Sequence, residues 1–249
     1  MVSVCIATYN GEKYLKEEID SILPQLTQED EIIISDDGST DSTLDVLTAY
    51  HDDRIKIYSH TEKIANPKFR FDYTTHNFEN AISKAQGDYI FLADQDDVWL
   101  PEKVKTMTKA LQDNDIVISD CIVVDKDLNV KRNSRYTKHK PSYKVARNLI
   151  SSNNQGCCIA FRRDILDKVL PFPKYGVAQD FWIAVFGGLF YKVKFLPDPL
   201  ILFRRHNDNL STSLGKSTDN FSYKVKYRLY SLGSLIKRGG LRRVISNLY

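Results

Sequence analysis

Leu92-Ala93-Asp94-Gln95-Asp96-Asp97-Val98-Trp99 places three carboxylates within four residues, directly after the apolar run Tyr89-Ile90-Phe91-Leu92. Like charges this close repel, and holding them beside a buried strand is costly unless a cation or strong hydrogen-bond donors sit among them. The stretch therefore reads as the end of a buried strand that carries a divalent-metal site. In an open α/β sheet, ligands bind outside the carboxyl ends of the strands. Hard cations such as Mg2+ or Mn2+ take carboxylate oxygens and share coordination with phosphate. A spacing of two at a strand end sets Asp94 and Asp96 on one side. Asp97 is left to bond a neighbouring loop or to cap the helix after Pro101. A solvated acidic turn is the alternative, disfavoured because the preceding run is apolar.

Outward from this stretch, strands and helices alternate. Val2 to Ala7, Glu31 to Ser35, Ile55 to Tyr58, Tyr89 to Ala93 and Ile116 to Ser119 read as strands. Between them, Glu12 to Leu23 repeats apolar residues at helical spacing and is stopped by Pro24. The turn Asp36-Asp37-Gly38-Ser39-Thr40-Asp41 caps a helix over Ser42 to Tyr50. Asn77 can cap a helix through Gln86, closed by Gly87, and Pro101 opens another through Asp113. This βαβαβ order predicts an α/β fold, a parallel sheet covered by helices on both faces. Beyond Asp125 the pattern loosens. Lys126 to Tyr143 reads as a basic loop or lid, Asn153 to Phe161 as a turn into a strand, and Arg163 to Leu170 and Asp180 to Phe190 as helices. Phe195 to Arg205 reads as a buried strand broken at Pro197 and Pro199.

Composition narrows the class. The 249 residues are 42% hydrophobic and 27% charged, as in an ordinary globular protein. A net charge of +3 gives no support for nucleic-acid binding. No apolar run reaches the length of a membrane span, and the N-terminus has no basic segment of a signal peptide. Cys5, Cys121, Cys157 and Cys158 lack zinc spacing and read as reduced thiols of a cytosolic protein.

Two turns share a logic with the acidic one. Thr8-Tyr9-Asn10-Gly11 and the turn from Asp36 to Asp41 each follow a strand and precede a helix, so each offers free backbone N–H groups. They could cradle a base or ribose, or serve only as caps and turn formers. Neither a Gly-x-Gly-x-x-Gly nor a Walker A pattern is present. Asp180 stands between Val177-Ala178 and Phe181-Trp182-Ile183. Apolar company raises a carboxyl pKa and suits a general base, although Asp180 also opens a helical run as an N-cap would. His206 follows an apolar strand and two arginines, which favours a metal or diphosphate site over a packing role. Arg204 and Arg205 could each offer a fork to phosphate. From Asn220 to Tyr249 there are seven basic residues and no acidic one. Phe221, Val225, Leu229, Leu232 and Ile236 follow helical spacing, which fits an interfacial helix on anionic lipid. A helix packed on the catalytic body or on another subunit fits as well.

Together, Ile6-Ala7-Thr8-Tyr9-Asn10-Gly11, Ser35-Asp36-Asp37-Gly38-Ser39-Thr40-Asp41, Gly87-Asp88-Tyr89-Ile90 and Asp94-Gln95-Asp96-Asp97 resemble glycosyltransferase family two. These are inverting enzymes of the GT-A fold that use nucleotide-sugar donors. The resemblance covers about the first 210 residues, and its wording is most similar to bacterial rhamnosyltransferase-type members. It implies that Thr8, Tyr9 and Asn10 line the nucleotide site and that Asp36 contacts the base. Asp94-Gln95-Asp96 matches the DxD motif, with Asp96 the direct metal ligand and Asp94 shared between ribose and metal. Asn153-Asn154-Gln155-Gly156-Cys157 resembles the glycine-containing loop near the donor sugar, and Gln179-Asp180-Phe181-Trp182 the segment that supplies the catalytic base. Phe203-Arg204-Arg205-His206-x-x-Asn209 resembles the segment whose His completes the metal or diphosphate site. Two departures stand out: residue 179 is Gln where many members have Glu or His, and His60 to His76 is longer and more charged than usual. Lys63, Lys68 and Arg70 there could meet phosphate or be solvated.

The expected protein is thus a GT-A fold, a Rossmann-like, mostly parallel sheet flanked by helices. Residues 1–214 form the catalytic domain, with a nucleotide-binding half at 1–120 and an acceptor side at 121–214. Residues 215–249 form a basic amphipathic helical tail. The expected activity is Mn2+- or Mg2+-dependent inverting transfer from a dTDP- or UDP-linked sugar to a hydroxyl of a lipid-linked or oligosaccharide acceptor, in bacterial surface polysaccharide synthesis. Asp180 is the base, Asp94, Asp96 and His206 the metal set, and Thr8, Tyr9, Asn10, Asp36, Asp94, Gln95 and Gly156 the donor contacts. No nucleic-acid partner is expected. A cytoplasmic location with membrane-surface contact through the tail is expected, and a homo-oligomer is left open. A sugar nucleotidyltransferase or a non-catalytic nucleotide-sugar-binding subunit are the alternatives. The first lacks a basic Gly-rich loop after the first strand, and the second is disfavoured by the full set of Asp96, Asp180 and His206.

Overall fold

The computed structural model describes residues 1–137, 140–152, 154–206, 209 and 219–248. Among them, one sheet has the strand order β3-β2-β1-β4-β8-β6-β9-β5, with β7 beside β6. The strands are β1 (Val2–Thr8), β2 (Glu31–Asp36), β3 (Ile55–Ser59), β4 (Tyr89–Ala93), β5 (Val98–Trp99), β6 (Ile116–Asp125), β7 (Val130–Arg132), β8 (Ile159–Arg162) and β9 (Val193–Arg205). Strands β3, β2, β1 and β4 are parallel neighbours. Strand β8 is antiparallel to both β4 and β6, so β6 and its parallel partner β9 keep the same direction. The sheet is therefore mostly parallel, but β8 separates the two parallel groups where the sequence pattern suggested direct succession.

The helices are α1 (Leu15–Ile22), α2 (Thr43–Thr48), α3 (Asp72–Lys84), α4 (Lys103–Leu111), α5 (Val145–Ile150), α6 (Leu166–Val169), α7 (Gln179–Phe181), α8 (Phe221–Gly239) and α9 (Leu241–Ser246). Helix α7 continues through a π-type turn (Trp182–Phe186). The strand residues Val4, Ile6, Ile32, Ile34, Ile90 and Phe91 are fully buried. Helix α3 lies on β1 and β2, and α4 on β6. All four cysteines are free and buried.

Three local expectations are corrected. Helix α3 starts at Asp72, not at Asn77. The Asp72 carboxylate accepts N–H bonds from Lys68, Phe69 and Gly176, which fixes an earlier start. Asn77 instead lies inside the helix, accepting from Ser35 Oγ and donating to Thr8 O. Strand β9 is not broken at its prolines. Its register against β6 shifts on either side of Asp120, which faces Pro199, so residues without an N–H are absorbed as irregularities. Strand β6 runs on to Asp125, because Cys121, Val123 and Val124 are also buried.

The tail helix α8 packs on the body. Ser231 Oγ donates to Gly176 O, Arg228 donates to Leu149 O and Ile150 O, and Arg238 donates to the last carbonyls of α6. Cationic side chains at exposed helix C-termini satisfy carbonyls that have no intrahelical partner. Residues 215–218 and 249 of the expected tail lie outside the described residues.

Candidate active site

The carboxyl ends of β1, β2 and β4 converge. Thr8 ends β1 fully buried, and its hydroxyl donates to Asp36 Oδ1 (3.0 Å). Asp36 also accepts from Gly38 N, Ser39 N and Ser39 Oγ. These bonds hold the second turn closed around the carboxylate, so a ligand N–H would have to share Asp36 with its own turn. Asn10 ties the two turns together: its N–H donates to Ser39 Oγ and its side-chain oxygen accepts from Thr40 N. It does so at φ 49°, a left-handed conformation that Asn tolerates better than most residues. Tyr9 presents an exposed ring. Of the outlying cations, Lys63 donates to Asp37 O, Lys68 to Tyr230 Oη, and Arg70 pairs with Asp219. All three have local partners.

Gln95 joins the acidic turn to the first one. It accepts from Tyr9 N (2.9 Å) and donates to Tyr9 O (3.1 Å). A Cβ on Gly11 would stand 2.6 Å from Gln95 Oε1, so this bridge requires glycine there.

The three acids separate by environment. Asp96 Oδ2 meets His206 Nε2 at 2.8 Å and accepts from Asn209 Nδ2 at 2.8 Å. The Tyr14 ring lies 4.9 Å from the imidazole. Asp94 takes the other side, grouped with Asp97 and Cys157, with one ligand atom of each within 4.8 Å of the others. Its pKa is pushed up to about 8, first by burial and then by the charges of Asp96 and Asp180. Asp97 is fully buried and accepts from Arg204 N (2.8 Å), while its Oδ2 has no hydrogen-bond partner. Burial, then Asp96 and Asp94, hold its pKa well above the carboxylate range. Oxygen donors whose mutual repulsion a cation would relieve, beside one imidazole, fit a hard divalent ion. The structure thus brings Asp96 to His206, with Asp94 adjoining but in a different cluster.

Arg204 does not offer its fork to a ligand. Its guanidinium is buried, donating to Asp96 O (2.7 Å) and Lys126 O (2.9 Å) and pairing with Glu17. It braces the acidic turn from behind. Asn209, Tyr14 and Glu18 are parts of this region to which sequence reasoning gave no role. Glu18 is fully buried on α1, with neither carboxylate oxygen hydrogen-bonded. Its position on an apolar helix face was the available signal.

Asp180 lies partly buried in the first turn of α7, which begins at Gln179 with Ala178 at its N-cap, so it is not the cap that the sequence also allowed. Its pKa is pushed up to about 6 by burial, against the opposing pull of the Phe181 N–H (2.6 Å) and the Arg135 charge. Gly156 lies against it: a Cβ there would be 4.0 Å from Asp180 Cβ and 3.3 Å from Gln179 Nε2. Asn153 of that loop lies outside the described residues. Burial raises the pKa of Asp94 most, and the charges of Asp96 and then Asp180 add to it, so the base candidate and the acidic turn are within electrostatic reach of one another. A proton acceptor opposite a cation-ready, anion-neutralising turn can deprotonate a nucleophile while a phosphate leaving group is held.

Residues 3–170 match the family model described as glycosyl transferase family 2. An uncharacterized glycosyltransferase of Nostoc sp. is 29% identical over 230 residues, covering 87% of this chain and 68% of that protein. The dTDP-rhamnosyl transferase RfbG of Shigella flexneri is 27% identical over 247 residues, covering 91% and 78%. Other curated relatives are matched over 38% to 58% of their length, so the chain spans about half of them. The glucosyl-3-phosphoglycerate synthase of Mycobacterium tuberculosis, solved with Mn2+, UDP and phosphoglyceric acid, shares the fold at a TM-score of 0.61 and 19% identity, over 96% of this chain and 78% of that one. With the family model covering most of its length and the acidic turn, nucleotide-side turns and buried carboxylate in one place, the chain belongs to glycosyl transferase family 2.

Proposed function

We propose that this protein is a metal-dependent inverting glycosyltransferase, moving a sugar from a nucleoside-diphosphate donor to an acceptor hydroxyl. The single observation that supports this best is the convergence of His206 Nε2 and Asn209 Nδ2, each 2.8 Å away, on Asp96 Oδ2 at the acidic turn that follows β4. Asp96, His206 and Asp94 would hold Mn2+ or Mg2+. Such an ion neutralises charge on a departing diphosphate. Thr8, Tyr9, Asn10, Asp36 and Gln95 shape the nucleotide side, and Gly156 leaves room beside the base for the donor sugar. Asp180 accepts the proton of the acceptor hydroxyl. That oxygen bonds the anomeric carbon as the bond from this carbon to the diphosphate oxygen breaks, and the nucleoside diphosphate leaves with the electron pair. One displacement from the opposite face inverts the configuration.

The setting we propose is surface polysaccharide synthesis on a lipid-linked or oligosaccharide acceptor, with a dTDP- or UDP-linked donor, consistent with the rhamnosyl transferase relative. No helix among the described residues is long and apolar enough to cross a membrane. A peripheral contact at the inner face of the cell membrane is supported by the exposed Phe221, Leu229, Leu241 and Ile245 among the basic residues of α8 and α9.

A nucleotide-sugar panel scored by thermal shift, with and without Mn2+, tests the donor reading, since a bound ligand stabilises the fold by mass action. A donor that stabilises only with Mn2+ and is consumed with inversion is expected. No stabilisation by any nucleotide sugar would refute it. Liposome flotation with anionic vesicles tests the membrane contact, and equal partitioning with and without residues 220–249 would remove it.

A further inference from the structure

Arg135 is 1% exposed, yet its guanidinium Nε and Nη1 are buried without a hydrogen-bond acceptor. A buried cation with unpaired N–H groups is costly, and proteins normally avoid it by pairing or exposure. Arg cannot shed its charge to escape that cost. The segment that carries it is firmly held. Asp120 accepts from Arg135 N (3.0 Å), Tyr136 N (3.2 Å) and the Ser134 hydroxyl, while Arg135 N also donates to Cys121 O (3.1 Å) and Tyr136 Oη to Ser119 O (2.8 Å). The residue is thus fixed in place by its backbone while its Nε and Nη1 donors stay open.

Its backbone is bonded to Cys121 O on β6, and β6 packs on the turn Gly156–Cys158, whose Gly156 lies against Asp180. Arg135 is close enough to lower the pKa of Asp180 and of Arg205. Open donors at Nε and Nη1, on different edges of a permanently charged guanidinium, suit charge-assisted hydrogen bonds to a phosphate-type oxyanion.

We propose that Arg135 is an oxyanion receptor, binding a phosphate group brought into the site beside Asp180. The inference extends the functional reading above, but its test does not depend on transfer. Two sources share this chemistry: an acceptor that carries phosphate near the attacking hydroxyl, and the diphosphate of the donor.

The test compares wild type with Arg135→Gln and Arg135→Met by thermal denaturation in phosphate-free buffer, with inorganic phosphate, and with UDP plus Mn2+. A ligand-binding arginine, unpaired in the free protein, gives a specific signature. Both variants should be at least as stable as wild type without phosphate, and the phosphate-dependent rise in Tm should vanish in both. If the UDP–Mn2+ rise persists in the variants, the oxyanion belongs to the acceptor; if it falls with the phosphate rise, it belongs to the donor diphosphate. Two results overturn the proposal: both variants less stable than wild type in phosphate-free buffer, as for a structural arginine, or an unchanged phosphate increment. Absence of any nucleotide-sugar binding by wild type, with the phosphate signature intact, would count against the transferase reading alone.

Discussion

Replacing Asp180 by Asn separates what the carboxylate does for chemistry from what it costs the fold. Its pKa rises from an ordinary 3.8 to about 6 because burial disfavours the charge. That rise corresponds to about 3 kcal/mol of unfavourable free energy for the ionised form. The sign follows from linkage: the folded state holds this proton more tightly than the unfolded state. The penalty is absent below about pH 4, grows between about pH 4 and pH 6, and is complete above that. Asn carries no charge at any of these pH values, so Asp180→Asn should match wild type near pH 4 and exceed it at pH 8. The side chain is only partly buried, and solvent reduces the gain to about 1–2 kcal/mol, a Tm rise of a few degrees for a chain of this size. Relief of repulsion on Asp94 acts in the same direction. Urea denaturation at both pH values, with chelator present, measures it. With donor and Mn2+ the same variant should bind donor normally while kcat falls by about 10²-fold or more, the scale of a lost general base. Wild-type kcat should fall tenfold per pH unit below about pH 6. Near-normal transfer by Asp180→Asn, or equal stability at both pH values, would refute the reasoning.

Other parts of the site make separate claims. Asp96→Asn should abolish the Mn2+-dependent increment of donor stabilisation, because it removes the carboxylate that His206 and Asn209 converge on; a thermal shift titration with Mn2+ reads it. Gly11→Ala places a Cβ 2.6 Å from Gln95 Oε1, so it should break the Gln95–Tyr9 bridge and weaken donor affinity roughly tenfold, about 1.4 kcal/mol, as measured by calorimetry. Tyr227→Ala removes the hydroxyl that accepts from Ala178 N (3.4 Å) and loosens the approach to Asp180. Transfer kcat should drop while donor Kd holds, with Tyr227→Phe intermediate, because small displacements of a catalytic group are costly.

The strands and the acidic turn were legible because both leave a local signature: apolar runs of strand length, and charges too close together to be accidental. Asp180 was legible for the same reason, a carboxyl in an apolar window. What escaped reading depends on partners distant in sequence. Helix α3 begins at Asp72 because Gly176, a hundred residues on, shares its carboxylate. Strand β9 survives two prolines only because β6 can shift its register around Asp120. The Arg204 fork looked available for phosphate until the fold turned it onto Asp96 O, Lys126 O and Glu17. In the tail, spacing alone could not separate a lipid-facing helix from a packed one. Ser231 and Arg228, polar residues on its wheel, are the ones that meet the body.

The acids of the opening stretch divide the chemistry among themselves by depth. Asp97, sealed and bonded to Arg204 N, carries the turn. Asp96 is tied to His206 and Asn209, and in the proposed mechanism it serves the leaving-group side. Asp94 has its pKa raised first by burial and then by the charges of Asp96 and Asp180. A cation bound at Asp96 would lower the Asp94 pKa through its positive charge, and an ionised Asp94 would in turn press harder on Asp180. In the proposed mechanism the metal side and the base are therefore coupled through one carboxylate. The cation itself lowers the Asp180 pKa, and an ionised Asp94 offsets part of that, so Asp180 holds its proton more tightly than it would beside a neutral residue 94. In Asp94→Asn that relay is cut. The acid limb of the kcat profile should then move to lower pH, and its dependence on which divalent ion is bound should disappear.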